Sequence, residues 1–318
     1  MTLASFTNGA EIHADNLVIL RHLARQIPLR QPKKVFSDQA GLYTAKSRGR
    51  GLDFAEVRQY QAGDDIRTMD WRVTARTGRA HIKLFHQERE RPVLLVCDLR
   101  SHMYFGSRNT FKSVLAADIT ALLAWSALQA GDRIGCLLFN DDREVDLRPK
   151  TGRKQVLKIL HQLSRLTPNQ ATDPQQRMQQ IMRHVRRIAR PGTAIYFLSD
   201  WLGFDERCQQ LLYPIRQHSD VFAFAIYDPL DQALPPPGHY SLTNGRQTIV
   251  VNSHDEQQRR QYQQAFEQRH SALQQAMRQL RAPCIRIATE QDPLPQLRQG
   301  FGLTPIAQTE QSGHGAVR

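Results

Sequence analysis

The feature that most constrains this chain is an alternation that begins at Pro92 and runs to about residue 290. Short apolar runs ("PVLLVCD", "IGCLLF", "AIYFLS", "VFAFAIY", "CIRIA") are separated by longer segments of helical period. Runs apolar at consecutive positions fit strands covered on both faces, and the alternation of such strands with helices is the pattern of a parallel sheet. The spacing of Phe111, Val114, Leu115, Ile119, Leu122, Leu123 and Ser126 predicts a helix over 110–129, and further helices are expected over 151–166, 174–190, 204–217 and 255–281. "REVDLRP" reads as a short strand hairpin-linked to its predecessor. The expected fold is therefore α/β, doubly wound, mainly parallel, with helices on both faces. In such sheets ligands sit beyond the carboxyl ends of the strands, at the topological switch point.

The rest of the 318 residues divides by texture. Residues 1–50 hold a short helix over 15–26 and a basic arm, and 51–91 read as a β-rich section of strands and tight turns. Residues 92–303 form the α/β domain, with an inserted β-hairpin at 235–254 after the Pro-rich "DPLDQALPPPGHY". Residues 304–318 have no core-forming pattern and are expected to be a disordered tail. The four cysteines are widely spaced, which suits buried reduced thiols. With no signal-peptide pattern, and with "TALLAWSAL" and "VFAFAIY" far short of a membrane span, the expectation is a cytoplasmic protein.

A net charge of +13 invites a nucleic-acid reading, so its distribution matters. Residues 1–91 carry 16 basic against 10 acidic groups and 151–200 carry 9 against 2, while 92–150 (7 against 7) and 201–318 (11 against 11) are balanced. In "QQRMQQIMRHVRRIAR" the apolar face of Met178, Ile181, Met182, Val185 and Ile188 leaves Arg183, Arg186, Arg187 and Arg190 on the other side. Such a face is a solvated surface by default and a docking patch otherwise.

Two stretches carry more specific information. "DFAEVRQYQAGDDIRTMDWRVTARTGRAHIKLFHQERE" contains a Phe-x-Glu-x-Arg-x-Tyr run, a Gly-Asp-Asp turn, an Arg-x-x-Asp-Trp element and a closing Glu-x-Glu. "VLLVCDLRSHMYFGS" places an aspartate at the end of the first buried strand. Together with the "FLSD" strand end, these stretches resemble the bacterial proteins grouped as domain of unknown function 58, over roughly Gly51 to Phe301. The resemblance implies a von Willebrand factor A-like sheet of six strands and a partnership with a MoxR-type AAA+ ATPase in assembly or maturation of other proteins. It names no client.

It also implies where to look for a metal. In von Willebrand A domains a hard cation sits on an Asp-x-Ser-x-Ser loop, a later threonine and an aspartate from the fourth strand. Here those positions are Asp98, Arg100, His102, Thr172 and Asp200. Magnesium requires oxygen donors in near-octahedral array, which neither Arg100 nor His102 supplies, and Ser101 is out of phase. The preferred reading is a degenerate site in which Arg100 replaces the cation in an Asp98–Arg100–Asp200 cluster. Occupied magnesium and a purely structural Asp98 are the alternatives, and no other cofactor is expected.

Catalysis has no positive signal. Asp64, Asp65, Asp70, Glu88 and Glu90 suit turns and ion pairs better than a two-metal centre. His81 and His86 project to opposite faces of their strand, and "TGRKQ" and "RTGRA" lack a P-loop's glycines. Trp71 reads as a core anchor. Asp118, on the apolar face of its helix, needs a partner, with Arg100 or a backbone amide as candidates. The leading expectation is a non-enzymatic interaction module whose partner surfaces are Gly63, Asp64, Asp65, Arg67, Asp70 and Trp71, and the rim at Arg100 and Ser101. The alternative is a basic nucleic-acid-binding protein, and a metal-dependent hydrolase comes last.

Overall fold

The computed structural model describes residues 6–27, 29, 53–61, 66, 69–86, 90–169, 172–243 and 248–303. Gly63, Asp64, Asp65, Arg67 and Glu88, the basic arm and the 304–318 tail lie outside them.

The chain divides into two units, one of them residues 43–90. Within it β1 (Asp53–Gln59) pairs antiparallel with β2 (His81–His86). The segment between them is a helix rather than a further strand. Asp70 accepts hydrogen bonds from the amides of Arg72 and Val73, which starts the helix Trp71–Thr77, and Gly78, at φ 67°, ends it. The expected strands and turns gave way here because a strong N-cap and a C-terminal glycine bracket seven residues. Trp71 is 68% exposed and anchors no core, correcting the sequence reading.

The other unit holds the sheet. Its six strands lie in the order β10-β7-β6-β3-β4-β5. They are β3 (Pro92–Asp98), β4 (Arg133–Phe139), β5 (Glu144–Lys150), β6 (Ala194–Ser199), β7 (Asp220–Tyr227) and β10 (Cys284–Ala288). All pairings are parallel except β4 with β5. β8 (His239–Thr243) and β9 (Thr248–Asn252) form the inserted hairpin. Helices cover both faces, as the apolar runs require. Lys112–Gln129, Arg153–Leu163 and Pro293–Gly300 pack on one face, and Pro174–Ile188, Glu206–His218 and Glu256–Gln279 on the other. Cys97, Cys136 and Cys208 are buried free thiols, and Cys284 is half-buried.

The helix Lys112–Gln129 is buried over nearly its whole surface. Residues 14–27 explain why. They fold as a short helix, Ala14–Ile19, and two 3-10 turns laid across its outer side. The Trp125 indole donates to the Leu17 carbonyl at 3.0 Å and the Ser126 hydroxyl to the Ala24 carbonyl at 3.0 Å. The N-terminal segment thus belongs to the sheet unit. Among the described residues no helix is long and apolar enough to cross a membrane.

Candidate functional site

The chain runs from β3 to β4 on one side and later returns to β6 on the other, so the strand order reverses beside β3. Asp98 ends β3 and Asp200 follows β6, which places both carboxylates at the switch point, on adjacent strand ends.

Arg100 is 1% exposed and lies within this end of the sheet. Its Nε donates to both oxygens of Asp98 (3.0 and 3.2 Å) and its Nη2 donates to Asp98 Oδ2 at 2.7 Å. Nη1 reaches the Pro174 carbonyl at 3.2 Å and Nη2 the Leu202 carbonyl at 3.1 Å. One guanidinium therefore ties the β3 loop, the start of the helix Pro174–Ile188 and the loop after β6. A planar fork with five donors can do this, whereas a lysine could not hold the same geometry. Burial opposes the guanidinium charge, but the Asp98 carboxylate outweighs it and holds Arg100 above its ordinary pKa. The Ser199 hydroxyl completes the shell of Asp98 at 2.6 Å.

The loop after β6 is shaped for this contact. Trp201 sits at φ 61° and Gly203 at φ 85°. A Cβ on Gly203 would fall 2.2 Å from the Pro174 carbonyl oxygen, so only glycine lets the two loops meet and point their carbonyls at Arg100.

Asp200 has its own cations. Lys112, nearly buried, lies 3.0 Å from Asp200 and 3.0 Å from Asp231, and His102 Nε2 lies 3.1 Å from Asp200. Burial pushes the Asp200 pKa up, but Lys112 first, then His102 and Arg100, bring it well below the usual carboxylate range. Lys112 is itself raised, burial being outweighed by Asp200 and Asp231.

Asp98, His102 and Asp200 offer ligand atoms within 4.8 Å of one another, the kind of trio a divalent ion uses. The donor set does not fit one. A guanidinium lies on Asp98 and an ammonium on Asp200, and a dication would have to displace both. Thr172 is exposed and its hydroxyl donates to the Asp141 carbonyl at 3.0 Å, not toward either carboxylate. Ser101 turns the same way: its amide and hydroxyl both donate to Asp141 (2.9 and 3.0 Å).

The sequence reading therefore named Asp98, Arg100, His102 and Asp200, which converge, and missed Lys112, Asp141, Ser199 and Asp231. Lys112 had a signal. A lysine in the first turn of a helix opposes the helix dipole and implies a carboxylate nearby. Asp118 finds the Thr7 amide at 2.6 Å and the Thr7 hydroxyl at 3.0 Å rather than Arg100. Asp70 is engaged in its helix cap, so its carboxylate is already in use.

The family model described as "Protein of unknown function DUF58" matches residues 56–272. The uncharacterized proteins Mb1516 of Mycobacterium bovis and Rv1480 of Mycobacterium tuberculosis are each 28% identical over 250 residues, covering 78% of this chain and 78% of theirs. Among solved structures, the conserved hypothetical protein BatB from Bacteroides thetaiotaomicron aligns with a TM-score of 0.36 at 15% identity, covering 59% of this chain and 98% of that one. An aerotolerance-related membrane protein from Bacteroides fragilis aligns with a TM-score of 0.40 at 13% identity, covering 66% and 98%.

Proposed function

Since the chain belongs to the family of proteins of unknown function DUF58, we propose that it is a non-enzymatic interaction module of the cytoplasm, von Willebrand A-like, and an adaptor or co-chaperone for a MoxR-type AAA+ ATPase. The observation that carries this reading is the buried Arg100–Asp98 pair. At the sheet end where a doubly wound fold offers its ligand site, the chain supplies its own cations, so neither a resident metal nor an open catalytic pocket is needed there. What this end presents outward is a rim of loops held rigid from beneath, and rigid presentation lowers the entropic cost of binding a partner. The exposed Trp71, within the most family-specific stretch of the sequence, adds a large amphipathic side chain of the kind enriched at binding hot spots.

The test is binding of the purified chain to a MoxR-type ATPase from the same organism, followed by calorimetry and by ATP turnover. A complex at micromolar concentration or tighter, weakened roughly tenfold or more by Trp71→Ala, is expected. No complex and unchanged turnover would sink the reading. Magnesium is checked separately, by thermal unfolding with and without the ion. We expect no saturable stabilisation at submillimolar concentration. A saturable shift that disappears in Asp98→Ala would overturn the internal-cation part alone.

A further inference from the structure

The opposite ends of the same strands enclose a groove of about 650 Å³. Its floor is apolar, made by Leu94, Pro149 and Ile188, and its walls carry Arg133, Arg148, Lys150, Arg187 and Arg190. The sequence shapes it in two ways. Gly135 on β4 has no side chain, and a Cβ there would fall 2.8 Å from the Pro149 ring, so proline lies down over the strand as part of the floor. Asp146, Arg148, Pro149 and Lys150 of β5 line the groove together with the last turns of the helix Pro174–Ile188, because the register shift between Ile134 and Cys136 gives β5 an extra residue there and breaks its two-residue alternation.

The charges of the groove are unbalanced. Its one carboxylate, Asp146, lies 3.7 Å from His184 Nε2. Arg133, Arg148, Lys150, Arg187 and Arg190 have no ion-pair partner among the described residues, and all are exposed. Exposed unpaired cations around an apolar floor are costly only when covered by something that is not anionic.

We propose that this groove binds an acidic segment of another protein, in extended form, with an apolar side chain on the Leu94–Pro149–Ile188 floor and carboxylates against the arginines. Charge complementarity selects this occupant over the chain's own segments. The arm at 28–50 is itself basic, with Arg30, Lys33, Lys34, Lys46, Arg48 and Arg50 against Asp38, and the 304–318 tail has a single carboxylate side chain, Glu310. The shape disfavours the other polyanions. A membrane surface is too flat to enter a concave site. The lining has no Phe, Tyr or Trp ring on which single-stranded bases would stack. The inference does not rest on the ATPase reading, because the groove and the Arg100 cluster lie at opposite strand ends.

The experiment is fluorescence anisotropy of the full chain with a labelled peptide of about ten residues, acidic at both flanks around two central leucines. The expected result is saturable binding, weakened about tenfold in Arg148→Glu and again in Arg187→Glu, which lie on different elements, and several-fold when serine replaces the peptide leucines. Thermal unfolding of the variants verifies that they fold. Absence of binding overturns the proposal. Equal affinity for the serine peptide also overturns it, since the floor would then be irrelevant. So does tighter binding of duplex DNA or of anionic vesicles with the same loss in both variants, which would assign the groove to phosphates.

Discussion

The two ends of one sheet use arginine in opposite ways. At the carboxyl ends of the strands Arg100 is buried, bonded to a carboxylate and two carbonyls, and surrounded by Lys112, Asp200 and Asp231 in a nearly balanced cluster. At the amino ends five cations surround an apolar floor and are left to solvent. The difference teaches that a net charge of +13 has no single meaning. A buried charge is tolerated only with its partners, so it reports architecture, whereas an exposed unpaired charge needs no partner to fold and so reports what the surface can attract.

The largest effect should come from breaking the buried end. Arg100→Ala leaves the buried Asp98 with Ser199, a backbone amide and His102 Nε2 at 4.0 Å, and should lower the unfolding free energy by about 3–5 kcal/mol in urea titration. The double replacement Asp98→Asn with Arg100→Met removes both charges and should recover most of that loss. If Arg100→Ala costs less than about 1 kcal/mol, water reaches the cluster and the contrast between the two ends collapses.

This end of the sheet was legible in unequal parts. The apolar runs read as buried strands and the switch-point rule pointed to the loop at Asp98, while the pairing of Asp98 with Asp200 was implied by the family resemblance. The resemblance put Arg100 at a ligand position of the loop, but residue types alone did not show that its guanidinium turns back onto Asp98. Lys112 was not found, since helical period alone does not show that the first turn of a helix faces a neighbouring strand end. Trp71 was misplaced because hydrophobicity was weighed without the Asp70 cap, which starts a short helix there with no buried residue, Trp71 included. The groove was the least legible. It depends on the absence of a side chain at Gly135 and on the register shift that lets consecutive residues of β5 line one groove, and neither is written in residue types.

Asp118 provides an intermediate case, a buried carboxylate whose hydrogen-bond donors, both from Thr7, are neutral. Burial raises its pKa to about 7 despite those two bonds, opposite in direction to Asp200 with its cations. The folded-state value lies above the ordinary carboxylate value, so the folded state holds the proton more tightly than the unfolded one. Stability from this group is therefore full below about pH 4 and is lost as pH rises to about 7. Asp118→Asn keeps the shape and can pair with Thr7 without charge. It should gain about 1–3 kcal/mol over the parent at pH 8, with the difference vanishing near pH 4, in urea titrations across pH. A difference independent of pH would mean that Asp118 is charged in both states and that Thr7 alone suffices for it.

The smallest effect should come from the exposed end, and its smallness is informative. Arg148→Ala and Arg187→Ala remove charges that have no ion-pair partner among the described residues, so each should change the unfolding free energy by less than about 0.5 kcal/mol. Crowding of like charges around the groove is itself unfavourable at low salt, and truncating one arginine relieves it. The sign should therefore lean toward slight stabilisation in dilute buffer and fade as added salt screens the repulsion. A loss of more than about 1 kcal/mol in either variant would show that the side chain is held by the fold, and the two ends of the sheet would then differ in degree of burial but not in kind.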